Sequence, residues 1–175
     1  MKSTKAEIIA FLQAEFPQSL EKCEIEAVTE KGASIIYHVD AADLRPGGTV
    51  SGPTMMTAAD YALYIAILGE IGIVALAVTT SLSTNFLRKP SADQDIRAVC
   101  RLMKVGKALI VGDVWLYSLD SDEPIAHVVG TYSIPPQRWF QAIAELKSRT
   151  FLFGFLWVLA MLKFDFLHSL KVFPL

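Results

Sequence analysis

Charge and cysteine are both scarce in this chain. Of its 175 residues only 19% are charged, against roughly 25% in an average soluble domain, and 16 basic residues stand against 18 acidic ones for a formal charge of -2. That excludes the basic surface by which proteins grip nucleic acid, and it excludes a strong field of either sign for steering a charged partner. Two cysteines, Cys23 and Cys100, lie far apart with no Cys-x-x-Cys and no histidine-rich tract. Neither a disulfide framework nor a metal site is suggested, and free buried thiols in a reducing compartment are the expectation. A secretory signal is missing too: Glu7 and Glu15 bracket the first apolar residues and no small-residue cleavage site follows, so a cytoplasmic protein is expected.

What the chain has in quantity is apolar residue, 53% against roughly 45–50% in an average domain, which argues against disorder and for one domain, two at most, with a real core. Thr4-Lys5-Ala6-Glu7 has the spacing of a capping box, with Ile8, Ile9, Phe11 and Leu12 behind it. This predicts an amphipathic helix over residues 3–16, closed by Pro17. Residues 24–39 alternate as two strands turned by Glu30-Lys31-Gly32, with Ile35, Tyr37 and Val39 on one face. Arg45-Pro46-Gly47-Gly48 and Ser51-Gly52-Pro53 then bound a loop. Pro53 suits the first turn of a central helix over residues 53–68, with Ser51 or Gly52 as cap and Gly69-Glu70-Ile71-Gly72 as stop. Residues 78–86, 96–103, 108–119 and 125–134 read as four further strands. Together these predict an α+β domain over residues 1–140, an antiparallel sheet curled around one helix. From residue 108 onward the strands are apolar on both faces, a pattern that needs a second cover and predicts association through the outer face of the sheet.

Every residue from Met55 to Leu68 is apolar except Thr57 and Asp60, so the central helix is expected to be covered on all sides. Asp60 has Met56, Thr57, Leu63 and Tyr64 as its helical neighbours and no local counter-ion. Such an aspartate is costly to bury. It either takes a hydrogen bond from Thr57 or Tyr64, lies at a subunit interface, or serves as the base or nucleophile of a site. Eight residues earlier Gly52 stands at the helix start, where unpaired backbone N–H groups and the positive end of the helix dipole can hold a developing oxyanion. The pair suits the addition of water to an acyl carbonyl.

The run Gly48-Thr49-Val50-Ser51-Gly52-Pro53-Thr54-Met55-Met56-Thr57-Ala58-Ala59-Asp60 resembles the Gly-x-x-His-Gly-Gly loop and Ala-Asp helix of the hotdog-fold acyl-CoA thioesterases of the phenylacetyl-CoA thioesterase type. The stretch from Thr79 to Pro90 is similar to that family's third strand, and the resemblance spans residues 5–136. It implies a hotdog fold, a catalytic carboxylate at Asp60 acting as general base or nucleophile, and an oxyanion amide at Gly52 facing the aspartate of a neighbouring subunit. It also implies a strand hydroxyl at Thr79 that helps place water, with Thr80 or Ser81 serving if the loop differs by one residue. Arg88 and Lys89, with Lys107 at the next turn, would meet the nucleotide end of coenzyme A. The substrate would be an acyl-CoA, no cofactor would be needed, and the assembly would be a homodimer with shared sites, or a dimer of dimers. Two positions depart from the pattern around the helix start: Ser51 replaces the motif histidine and Pro53 its second glycine. Arg45 stands where many relatives carry a polar amide that contacts water or the thioester. A hotdog hydratase is disfavoured, since such sites need a histidine before the helix, while a non-catalytic acyl-CoA binding module stays open. His38 and His127 fall in strands as structural residues, and Tyr61, Tyr64, Met55 and Met56 are candidates to line an acyl pocket.

Residues 141–175 form a separate hydrophobic extension. It holds seven of the eighteen aromatics of the chain, at positions 151, 153, 155, 157, 164, 166 and 173. Its apolar run, residues 151–162, is too short to span a bilayer. A covering helix on the sheet or a subunit joint is favoured over an interfacial membrane anchor and over a stretch foreign to the fold.

Overall fold

Thr4 opens the first helix as its spacing predicts: its hydroxyl accepts from the Glu7 amide at 3.3 Å and its own amide donates to the Glu7 carboxylate at 2.7 Å. In the computed structural model, which describes residues 1–136, helix α1 runs Lys5–Glu15. Pro17, expected only to end that helix, begins a second one, α2 (Pro17–Lys22), because proline's fixed φ and missing N–H fit a first helical position. The hairpin follows as β1 (Cys23–Thr29) and β2 (Gly32–Tyr37), turned at Lys31 with φ 54°. A single 3-10 turn, Ala41–Asp43, leads into a small hairpin of β3 (Leu44–Arg45) and β4 (Thr49–Val50). Its turn places Gly47 and Gly48 at φ 97° and 65°, the left-handed region that glycine tolerates.

Helix α3 spans Gly52–Ile71, capped by Ser51 and ended by Gly72 at φ 96°. It overruns the expected boundaries of 53–68, and the reason is Gly69. A Cβ there would stand 2.5 Å from Val28 Cγ1, and its carbonyl accepts from the Lys2 and Ser3 amides at 2.7 and 3.2 Å. This glycine is a contact point for β1 and the N-terminus, not a stop signal. Strands β5 (Val78–Phe86), β6 (Ile96–Val105), β7 (Leu109–Ser118) and β8 (Pro124–Ser133) complete a six-stranded antiparallel sheet in the order β1-β2-β6-β7-β8-β5. Alternate residues on its inner face, among them Ile35, Ala98, Val114 and Val128, pack on Ala58, Ala62, Leu63 and Ile67 of α3. Gly112 and Gly130 sit opposite each other on β7 and β8 and make the hollow that takes the Leu63 side chain. A long helix wrapped by such a sheet is the hotdog architecture.

Helix α3 is not covered on all sides, contrary to expectation. Pro53, Met56, Thr57, Asp60, Tyr61 and Tyr64 form a stripe at helical spacing that stays partly or fully open, because the sheet ends at the β1 and β5 edges. The outer face of the sheet carries the expected apolar residues, with Met103 63% and Trp115 38% exposed. Cys23 and Cys100 are free and buried. Among the described residues no helix is long and apolar enough to cross a membrane. The extension over residues 141–175 lies outside the described residues.

Candidate active site

The open stripe of α3 is where the two functional candidates of the sequence come to the surface, in two separate clefts. Asp60 is half-buried and its partners come from the sheet. Thr79 Oγ1 on β5 donates to Asp60 Oδ1 at 2.6 Å, and the Tyr132 hydroxyl on β8 donates to the same oxygen at 2.7 Å and to the Asp60 carbonyl at 3.2 Å. The helical neighbours do not serve it: Thr57 Oγ1 donates back to the Pro53 carbonyl at 3.0 Å and the Tyr64 hydroxyl to the Ala75 carbonyl at 3.3 Å. Burial, and then the negative charge of Asp60, push the Tyr132 hydroxyl well above the usual tyrosine range, so it stays protonated and donates.

Strand register creates this meeting. Thr79 pairs with Tyr132 across β5 and β8, and the pairing slips between Thr79 and Ser81, which leaves Thr80 as the extra residue. Of the three hydroxyls that the sequence offered, Thr79 alone reaches Asp60. Thr80 Oγ1 donates to the Thr131 carbonyl at 3.1 Å, and Ser81 is exposed. Asp60 and Thr79 open into a cavity of about 620 Å³ lined also by Phe16, Tyr61, Tyr64 and Tyr132. The Tyr64 and Tyr132 rings stack with centroids 6.3 Å apart, and Phe16 meets Tyr61 edge-on at 5.9 Å. Glu15 lines the cavity as well, and an aromatic cavity with Asp60, Thr79 and Tyr132 meeting at its wall suits an acyl group whose reactive end is brought to Asp60.

The second cleft lies at the N-terminus of α3. Ser51 is taken up by capping: its Oγ accepts from the Thr54 amide at 3.3 Å and lies 2.9 Å from Thr54 Oγ1. Gly52 is the first helical residue, its N–H has no partner among the described residues, and Pro53 has none to offer. A Cβ on Gly52 would stand 3.1 Å from Phe86 Cζ, so the ring comes close over this glycine and would have to shift slightly for a larger residue. Gly52, Arg45, Phe86, Arg88 and Lys89 line this cleft of about 360 Å³. Arg88 also bonds Glu123 Oε2 at 2.8 Å and the Pro124 carbonyl at 3.1 Å, so part of its charge is already matched. Lys107 sits exposed in the β6–β7 turn and lines neither cleft.

Two residues of this arrangement escaped the sequence reading. No spacing rule links residues 60 and 132, so Tyr132 is found only through the β5–β8 register. The other is Asp43, 7% exposed, which sets the loop ahead of Gly52. Its carboxylate accepts from Lys22 Nζ at 2.9 Å, the Asp40 amide at 3.0 Å, the Tyr37 hydroxyl at 3.1 Å and Thr54 Oγ1 at 3.2 Å, while its carbonyl accepts from the Ser51 amide at 2.8 Å. Burial alone would raise the Asp43 carboxyl, yet the Asp40 amide, Lys22 and Tyr37 outweigh it and hold it below the usual carboxylate range. Its signal in the sequence is the capping spacing Asp40-x-x-Asp43. The two histidines among the described residues stand apart from both clefts: His38 Nδ1 lies 2.8 Å from Asp95 Oδ2, and His127 packs on Trp115 with ring centroids 4.2 Å apart.

Comparison with known proteins bears on this geometry. A family model for the thioesterase superfamily matches residues 47–125, a span that holds Gly52, Asp60, Thr79, Arg88 and Lys89. A candidate thioesterase from Silicibacter sp. TM1040 shares 41% identity with a TM-score of 0.70, over 76% of this chain and 92% of its own. The E. coli PaaI protein from the phenylacetic acid degradation operon has the same fold at 19% identity and a TM-score of 0.65, over 73% of this chain and 91% of its own. A hypothetical thioesterase from Streptococcus pneumoniae, solved with coenzyme A, does so at 19% identity and a TM-score of 0.58, over 65% of this chain and 89% of its own. None of the curated proteins matches the sequence. The chain belongs to the thioesterase superfamily, as a hotdog-fold hydrolase of thioester bonds.

Proposed function

We propose that the protein hydrolyses a small or medium acyl-CoA, aromatic or aliphatic, to the free acid and coenzyme A, without a cofactor and at sites shared between two copies of the chain. The observation that carries this reading is the Asp60 carboxylate, held by Thr79 at 2.6 Å and Tyr132 at 2.7 Å at the mouth of an aromatic cavity. The acyl group lies in that cavity, and the Gly52 amide takes the carbonyl oxygen. As general base, Asp60 accepts a proton from water as the water oxygen bonds to the acyl carbon. The tetrahedral intermediate then collapses, the C–S bond breaks, and the proton passes to the departing thiolate. As nucleophile, Asp60 bonds to the acyl carbon and expels the thiolate, and water then cleaves the mixed anhydride.

Distance supports sharing between copies. Eight residues of helix separate Gly52 from Asp60 by about 12 Å along the axis. An amide on a carbonyl oxygen and a base on the attacking water lie only roughly 6–8 Å apart, at about 3 Å per contact. Gly52 of one copy therefore serves Asp60 of another, with Arg45, Arg88 and Lys89 on the coenzyme A side of the Gly52 cleft. A dimer of dimers would bury the apolar outer sheet face.

The test is a panel of acyl-CoAs with a thiol reagent, run on the parent and on Asp60→Asn. Burial pushes the Cys23 thiol up to about 12 and raises Cys100 as well, so the folded protein adds no fast thiol signal of its own. Release of coenzyme A by the parent and its loss in a folded Asp60→Asn variant is the expected result. Protection against melting without thiol release would make the protein a binding module instead.

A further inference from the structure

We infer that Tyr132 is a positioning residue for hydrolysis: together with Thr79 it pins Oδ1 of Asp60 and so leaves Oδ2 as the oxygen that takes the proton from water or attacks the acyl carbon. The inference rests on the thioesterase reading of Asp60 given above and assigns the work within that carboxylate.

An ionised carboxylate only accepts hydrogen bonds, so both hydroxyls meeting Asp60 donate. They converge on one oxygen from two strands, at 2.6 Å from Thr79 and 2.7 Å from Tyr132, and no bond among the described residues reaches Oδ2. The last torsion of an aspartate is broad, and a carboxylate held by a single donor can swing or exchange its oxygens. Two donors from different strands hold the orientation of the carboxylate and leave its other oxygen open. Tyr132 is the stiffer of the two. It is 3% exposed, its ring stacks on Tyr64, and its hydroxyl also reaches the Asp60 carbonyl at 3.2 Å, which ties the clamp to the helix backbone. Donors on Oδ1 draw electron density to that oxygen and occupy its lone pairs. The lone pairs of Oδ2 are left for chemistry, on a residue that lines the acyl cavity. A one-oxygen clamp fits a base or nucleophile that must present a free oxygen at the same place at every turnover.

The experiment uses the full chain with Tyr132→Phe, Thr79→Val, the double variant and Asp60→Asn, each checked for an unchanged melting temperature. Tyr132→Phe keeps the ring and its stacking and removes only the hydroxyl. Its kcat is expected to fall on the order of ten- to a hundredfold, as misplaced catalytic groups do, with KM for the acyl-CoA within about twofold of the parent. One remaining hydroxyl still holds Oδ1 in part, whereas the double variant frees the carboxylate altogether, so the double variant is expected to lose more than the product of the two single losses. Losses that simply multiply, together with a raised KM, would mark Tyr132 as a packing residue and overturn the inference. Parental kcat in Tyr132→Phe beside an inactive Asp60→Asn would overturn it while leaving the thioesterase reading intact. Turnover by Asp60→Asn would overturn both.

Discussion

At the scale of single residues, Asp60 and Asp43 both accept from hydroxyl donors of other elements and are used differently. Asp60 has donors on one oxygen and faces a cavity. Asp43 is saturated and buried, and it holds the Lys22, Tyr37 and Thr54 groups around the loop that leads to Gly52. Because its carboxyl titrates below the usual range when folded, Asp43 stabilises the protein at pH above its unfolded value, about 3.9. That contribution disappears as pH falls through the lower folded value. The parent is therefore expected to lose melting temperature steeply below about pH 4. Asp43→Asn is expected to melt lower at pH 7 and to show a shallower acid loss, checked by thermal scans from pH 7 to pH 3. Parallel curves for the two proteins would contradict this role.

At the scale of elements, what was legible in the sequence is what repeats locally. The strands announced themselves by alternation, and β6 shows it as buried Ile96, Ala98, Cys100 and Leu102 between exposed neighbours. The central helix was legible from its apolar run, and Asp60 from being the one charge within it. Ends were less legible, because Pro17 closes α1 as expected but also opens α2, and the breaker meaning of Gly69 is overridden by tertiary contacts. Gly69 stays helical because β1 comes so close that no side chain fits. Alanine is favoured over glycine inside a helix by roughly 1 kcal/mol, but forcing a methyl against Val28 in a packed site costs about 1–3 kcal/mol. Gly69→Ala is expected to destabilise the protein by about 1 kcal/mol in urea unfolding. In a Val28→Ala background the clash is gone and the same substitution is expected to become neutral or stabilising. An equal cost in both backgrounds would place the strain elsewhere.

At the scale of the whole molecule, the parts that sequence could not reveal are those that depend on distant chain segments or on a second chain. Tyr132 reaches Asp60 across 72 residues, and only antiparallel register brings them together. The expectation of a fully covered helix failed for a related reason. The stripe from Pro53 to Tyr64 stays open in one chain, and it carries Asp60 while Gly52 stands at its N-terminal end. On the proposed reading the open stripe bears half of each of two sites, and a two-fold assembly would close it, since symmetry would give each site the amide of one copy and the carboxylate of the other. This has a consequence that no single-chain site shares. Asp60→Asn removes the carboxylate half, and Gly52→Val fills the cleft where the carbonyl would approach the amide, its first carbon already 3.1 Å from Phe86. Each variant alone is expected to be inactive. Unfolded together and refolded in equal amounts, they form mixed dimers in about half of the pairs, and each mixed dimer has one intact site of two, so about a quarter of parental activity is expected to return. Recovery of thiol release to that level, measured against each variant refolded alone, would establish the shared site. Activity that stays absent in the refolded mixture, with mixed dimers shown to be present, would return both halves of the chemistry to one chain and break the distance argument on which sharing rests.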